Sequence, residues 1–283
     1  MEKIQLIIKP KFGLGNRIRA IASFIYLKNL INAELQVIWQ EDKTLKAQYQ
    51  DIFKENPNFT LLKPSLKFNL FISKNRLVNS KFGFINSVVK SYNNLVKKMV
   101  GVDVLLLDDE VRKQVDYVKE ICEKNKKILI ITDDQCIEYK EGVQTFEPIN
   151  EIASKIDEMA AGFKEHMIGI HIRRTDHVVS MRNSPIYLFE NKISEYLESE
   201  NDGFGFFLAT DDPETERYFK EKYPGIVFTY NKTFGRDTKE GISDAVIELY
   251  LLSRTSKIYG SYWSSFSGIA SLLGDIELET LHL

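Results

Sequence analysis

From Pro148 to the C-terminus, apolar runs of strand length alternate with stretches of helical spacing, and this rhythm leaves few folds open. Met167 to Ile172, Phe206 to Thr210, Ile226 to Tyr230, Lys257 to Gly260 and Ile276 to Leu281 read as strands. Ile149 to Phe163, Tyr187 to Leu197, Glu214 to Lys222, Ser243 to Ser253 and Ser264 to Leu273 read as helices, and Asp176 to Pro185 as an irregular loop. Strands separated by helices pair in parallel, because the helix supplies the crossover that a hairpin cannot. In an open parallel sheet the residues that follow each strand gather at one edge, where ligands bind.

The first half begins in the same way. Gln5 to Ile8 predicts a strand, Gly13-Leu14-Gly15 a tight turn, and Ile18, Ile21, Ala22, Ile25 and Leu30 the apolar face of a helix. Asn16 is a natural N-cap for that helix, which would aim Asn16, Arg17 and Arg19 towards a ligand. Leu35 to Trp39 predicts the next strand. Residues 40–102 are rich in Lys, Asn and Phe with broken periodicity. Phe68, Leu70, Phe71, Phe82, Phe84 and Ile85 there are apolar enough to pack in a core or to line an acceptor groove, and the core is the plainer use. Val102 to Leu107 and Ile128 to Thr132 predict strands flanking a helix over Asp109 to Glu123. With Pro148 as punctuation, the expected organisation is two α/β domains, 1–147 and 148–283.

Bulk properties exclude several classes. A net charge of −2 gives no global basic field for nucleic acid. Two cysteines, Cys122 and Cys136, make no disulfide framework, and the four histidines show no zinc spacing. The start lacks a signal-peptide layout, and no apolar stretch reaches the ~20 residues of a membrane span. The expectation is a cytoplasmic protein without an integral membrane segment, either free or peripheral to the inner face of the membrane.

Three strand ends carry polar chemistry: His171-Ile-Arg-Arg-Thr-Asp176, Ala209-Thr-Asp-Asp-Pro213 and Tyr262-Trp-Ser-Ser-Phe-Ser-Gly268. Arginine forks match phosphate oxygens, carboxylates accept from a purine or a ribose, and serines at a helix start add donors for phosphate. Each has a plainer use: a solvated arginine pair, a helix start at Asp211-Asp212-Pro213, caps at Ser264 and Ser265. Together they suit a nucleoside diphosphate. Gly13-Leu14-Gly15 lacks the third glycine of a dinucleotide fingerprint, and there is no Gly-Lys-Ser/Thr loop, which argues against an NAD- or ATP-using enzyme.

As an ordered set, these motifs resemble those shared by GDP-fucose-dependent α1,2-, α1,6- and protein O-fucosyltransferases, and Gly13-Leu-Gly-Asn16 is similar to the family's N-terminal glycine motif. The resemblance spans 148–273 well and 40–145 poorly. It implies a GT-B glycosyltransferase: two Rossmann-like domains facing each other across a cleft, the first on the acceptor side, the second binding the nucleotide-sugar. It implies inverting transfer of fucose from GDP-fucose to a glycan or glycoconjugate hydroxyl, in polysaccharide biosynthesis, with no metal or other cofactor required. The chain has no Asp-x-Asp motif for a cation.

By the same resemblance Arg173 clamps the leaving diphosphate and Arg174 positions its loop. His171, Asp211 and Asp212 contact nucleotide, and Gly13, Gly15, Ser265, Phe266, Ser267 and Gly268 complete the donor site. The acceptor base departs from the pattern: Met181 stands where α1,6 members have a glutamate. Asp176 is the nearest carboxylate on the arginine loop, and Asn16 can orient but not deprotonate. The alternatives are an unusual base, a base from the unmatched region, or a donor other than GDP-fucose. A non-catalytic nucleotide-sugar or glycan-binding protein on the same fold is the competing class.

Overall fold

The computed structural model describes residues 3–72, 83–175, 178–198 and 203–283, with backbone alone for 83–86. It contains two compact units. The first comprises residues 1–12, 19–40 and 56–142, and the second comprises 13–18, 41–55 and 143–283, within the described residues. The second unit thus joins the C-terminal half to two short segments from early in the chain.

In the first unit, strands β1 (Gln5–Pro10), β2 (Glu34–Val37), β3 (Thr60–Leu61), β4 (Val104–Leu107) and β5 (Lys127–Thr132) form a parallel sheet in the order β3-β2-β1-β5-β4. The central strands are covered on both faces, which is why Leu6-Ile7-Ile8 and Ile128-Leu129-Ile130 are continuous apolar runs rather than alternating ones. The unreadable middle contains a long helix, Gly83–Val100. It packs Val96 and Val100 with Ile7, Phe68 and Leu129. Phe68 is buried and Phe71 packs beside it, whereas Leu70 is exposed because the short turn Leu66–Asn69 sends only one side inward. Phe82 lies outside the described residues, as do the side chains of Phe84 and Ile85. The helix expected over Asp109 to Glu123 is two, Asp108–Val111 and Val115–Glu123. Asp108 is held at the sheet edge by Lys11 and by the Asp133 N–H, which fixes the first turn separately from the second helix.

In the second unit, β6 (His166–Ile172), β7 (Phe204–Thr210), β8 (Val227–Phe228), β9 (Lys257–Ser261) and β10 (Glu277–Leu281) form a parallel sheet in the order β10-β9-β6-β7-β8. Strand β6 is central and buried on both faces. Its Gly169 has no room for a side chain. A Cβ there would lie 2.8 Å from Thr255 Oγ1 and 3.0 Å from Leu252. The helix Lys239–Leu252 therefore approaches the sheet closely at that point. The expected loop 176–185 contains a short helix, Val178–Asn183.

Beyond β8 the chain folds back over the sheet edge and buries Lys232 between two carboxylates. Its Nζ lies 3.1 Å from Glu216 Oε2 and pairs with Glu248 Oε1. Asp244 accepts from the Thr233 N–H at 2.8 Å. Burial pushes the Glu248 carboxyl up to about 7, against the opposing pull of Lys232. In the unfolded chain Glu248 titrates near 4.5, so the folded state holds the extra proton between these values and stability falls as pH rises through that window. Glu248→Gln should remove that contribution. In urea unfolding, the stability of the variant relative to wild type should rise between pH 4.5 and pH 7; a flat difference overturns the assignment.

Candidate functional site

The three polar strand ends belong to adjacent strands. Ile172 pairs with Thr210, and His171 pairs with Gly260. Arg173 and Asp211 are therefore at the same level, and Ser261 stands one residue before them, level with Ile172. The Arg173 N–H donates to Ser261 Oγ at 3.0 Å, and that hydroxyl donates to the His171 carbonyl at 3.2 Å. Neighbouring strands thus hold the start of the arginine loop through one serine.

Asp211 holds the rest. Its Oδ1 accepts from the Arg174 N–H at 2.7 Å, and its Oδ2 accepts from the Thr175 hydroxyl at 2.7 Å. The same Oδ2 lies 2.9 Å from Arg173 Nη1 and 4.0 Å from Arg236 Nη2. Arg174 turns away from this group. Its Nη2 donates to the Ser184 carbonyl at 3.0 Å, and burial lowers its affinity for its proton. Arg174 therefore braces the loop while Arg173 stays at the sheet edge. Asp212 caps the helix Pro213–Lys222 through the Thr215 N–H and hydroxyl. Asp176 lies outside the described residues.

The glycine turn joins this group within the second unit. A Cβ on Gly15 would stand 2.8 Å from Ser265 Oγ and 3.1 Å from the Ser265 backbone, so only glycine fits. The first turns of helices Leu14–Leu30 and Ser265–Gly274 consequently pack directly together. The N-cap expectation for Asn16 is corrected: the helix starts at Leu14, and the Arg17 N–H already donates to the Gly13 carbonyl at 3.1 Å. Phe12 takes a left-handed φ of 62°, which turns the chain into the helix before Asn16 is reached. Asn16 sits half-buried in the first turn. Arg17 is fully buried and paired with Asp42 at 3.0 Å, so it packs instead of facing ligand. Arg19 belongs to the first unit, where it donates to the Asp133 carbonyl.

Trp263 takes a second left-handed turn, φ 58°, before the helix Ser265–Gly274. A non-glycine residue there costs about 1–2 kcal/mol, which the flanking pairing must offset. Ser267 is buried, while a Cβ on Gly268 would meet nothing within 4 Å, leaving that side of the first turn open. Phe266 lies against the His171 ring, centroids 5.0 Å apart at 30°. His171 is buried, and desolvation lowers its pKa to about 3, so the imidazole is neutral. Among the described residues its Nδ1 has no hydrogen-bond partner, an uncommon state for a buried polar atom.

Sequence reasoning missed Arg236 and Ser184. Arg236 comes from the loop after β8, and its Nη1 lies 3.7 Å from where a Gly13 Cβ would be. Its carbonyl accepts from the Lys46 N–H, and Lys239 pairs with Asp51 at 2.7 Å, so this loop is pinned on both sides of the arginine. Ser184 accepts from the Tyr262 N–H at 2.7 Å and donates to the Leu281 carbonyl. No local pattern marks either residue, because each acts on a partner remote in sequence. The assembled site presents guanidinium groups, two adjoining helix N-termini and a neutral imidazole. That set can hold a multiply charged phosphate group and stabilise charge developing on it.

No family model matches the sequence. In structure the chain is similar to NodZ, an α-1,6-fucosyltransferase co-crystallised with GDP. The identity is 16%, with 96% of this chain and 93% of that one covered and a TM-score of 0.60. NodZ has been described from Bradyrhizobium. A mutant of FUT1 from Arabidopsis thaliana in complex with GDP matches at 16% identity, covering 98% and 70% of the two chains with a TM-score of 0.62. POFUT1 in complex with GDP matches at 9% identity, covering 98% of each chain with a TM-score of 0.55. Likeness at these identities concerns the fold, and this chain, with its two Rossmann-like parallel-sheet units, has the GT-B fold of these fucosyltransferases.

Proposed function

We propose that this chain is a glycosyltransferase that moves fucose from GDP-fucose to a hydroxyl of a glycan or glycoconjugate, with inversion and without a metal. The observation that carries the reading is the meeting of Arg173, Arg236, the Gly13–Gly15 turn and the Ser265 helix start within one unit. The second unit is the donor-binding one, and the first serves the acceptor. Three of the similar solved structures are described as holding GDP. One more is described as soaked with GDP-fucose.

In the proposed reaction the acceptor oxygen attacks C1 of fucose as the bond from C1 to the phosphate oxygen breaks. GDP leaves with the electron pair. Arg173 meets the charge that builds on that oxygen, and the Ser265 helix start adds N–H donors. Arg236 lies near the Gly13 turn on a pinned loop and shares the phosphate charge, so little reorganisation accompanies the reaction. Neutral His171, backed by Phe266, offers its Nδ1 to the nucleotide. Asp211 holds the arginine loop, and Asp212 holds the helix behind it. The acceptor proton goes to a carboxylate, for which Asp176 is the sequence candidate, and Asn16 orients the acceptor.

The deciding experiment is thermal unfolding with GDP, UDP, ADP, CMP, GDP-fucose and GDP-mannose. Binding to the folded state raises the melting point by mass action. A selective rise with GDP and GDP-fucose is expected, and a preference for UDP or no guanine response overturns the donor assignment. Arg173→Ala should cut transfer by at least about a hundredfold with the melting point held, as expected for loss of a charge-stabilising donor. Arg236→Ala should weaken GDP protection and lower turnover less than Arg173→Ala. Near-normal turnover of the Arg173 variant removes it from the clamp. EDTA should leave transfer unchanged, and activity lost to EDTA and restored by Mn²⁺ would contradict the metal-free route. Met181 at the position of the α1,6 glutamate favours a second reading, a nucleotide-sugar-binding protein without turnover. GDP-fucose protection without GDP release in the presence of acceptor glycans would select it.

A further inference from the structure

The first unit carries a local charge asymmetry that the donor site does not use. From Asn56 to Val102 the sequence has no aspartate or glutamate and eight lysine or arginine residues. The whole chain nearly balances 38 cations against 40 acids, so this stretch is unlike the rest. Within it lies the helix Gly83–Val100, which is apolar on two adjoining sides. One side carries Val89, Val96 and Val100, all buried. Asn93 on that side ties the helix down. It accepts from the Ile72 N–H at 3.1 Å and donates to the Ile72 carbonyl at 2.9 Å.

The other side faces solvent. Val88, Tyr92, Leu95 and Met99 are 50%, 37%, 59% and 63% exposed. Their four-three-four spacing sets them in one row along the helix, about 16 Å long at about 1.5 Å per residue. Lys98 is exposed on the flank of the row, about a quarter-turn away, whereas Lys90, exposed, and Lys97, half-buried, lie on the opposite side of the helix. Leu66 and Leu70 are also exposed, on the short turn whose Phe68 packs with Val96 under the same helix. A row of large apolar side chains on a soluble surface marks an interaction face.

Charge decides among the occupants. A second copy would bring lysines against lysines with no acidic residue in the stretch to offset them. Nucleic acid would satisfy the lysines, but its phosphates give nothing to a row of Val, Leu and Met side chains. An anionic bilayer satisfies both. Its headgroup boundary accepts the apolar row, and its negative surface potential attracts the lysines. We propose that this face of the helix docks on the surface of an anionic lipid bilayer. The proposal is independent of the donor assignment. It concerns surface docking and not spanning, since no helix among the described residues is long and apolar enough to cross a membrane.

The test is co-sedimentation of the full chain with vesicles of phosphatidylcholine alone, or mixed with phosphatidylglycerol, at low and high salt. Binding should appear with the mixed vesicles, weaken with salt, and fall at least about tenfold on neutral vesicles. Lys97→Glu/Lys98→Glu and Leu95→Ser/Met99→Ser should each weaken it by about tenfold or more. Thermal unfolding of both variants should match wild type, because the Leu95 and Met99 side chains are mostly exposed, Lys98 is exposed and Lys97 is only half-buried. Equal binding to neutral vesicles, or wild-type binding by both variants, overturns the proposal. So does retention on DNA with none on vesicles, or a concentration-dependent dimer lost in Leu95→Ser/Met99→Ser without vesicle binding.

Discussion

The carboxylate of Asp211 is the contact on which the candidate site depends. It accepts from the Arg174 N–H and the Thr175 hydroxyl while pairing with the Arg173 guanidinium. Hydrogen bonds to a charged group are worth roughly 1.5–3 kcal/mol each, enough to hold a loop that leaves the sheet at Ile172. The arrangement also sets the electrostatics. Arg173 Nη1 and Arg236 Nη2 both approach this carboxylate, at 2.9 and 4.0 Å, in the unit where two helix N-termini also meet.

Close backbone packing supports the same site. Gly15 lets one helix start touch Ser265 of the other, and Gly169 lets the helix Lys239–Leu252 press on β6. Neither approach tolerates a Cβ without movement of its neighbours. His171 adds a buried polar atom without a partner among the described residues, at the end of the same strand that delivers Arg173. Burying it neutral avoids the larger cost of burying an imidazolium beside arginines. Site and core are therefore one piece of engineering: the residues that fill the sheet also fix the level at which the polar residues emerge.

The two units differ in what their surfaces offer. The second places its cations in a compact group around Asp211 and hides Lys232 between Glu216 and Glu248. The first has an acid-free stretch in which, among the described residues, Lys63, Lys67, Lys90 and Lys98 are exposed, and the same stretch carries the exposed apolar row. Paired charge near the sheet edge organises a site, whereas exposed lysines in the same stretch as an aliphatic row suit a broad anionic surface.

By itself the sequence determined the parallel-sheet architecture of both halves, because period and run length report burial directly. It also determined which strand ends carry Arg173, Asp211 and Ser265, since adjacency along the chain needs no folding to be seen. The helix Gly83–Val100 escaped notice inside a Lys-, Asn- and Phe-rich stretch, although its apolar residues lie on two adjoining sides at helical spacing. The start of the first helix was misplaced because a left-handed turn at Phe12, and not the capping chemistry of Asn16, decides it. Only the tertiary structure brought Gly13–Ile18 into the second unit, Arg236 to Asp211 and Ser184 to the end of β9. Those contacts join residues far apart in the chain, and their energies depend on distance in space, which no local pattern encodes.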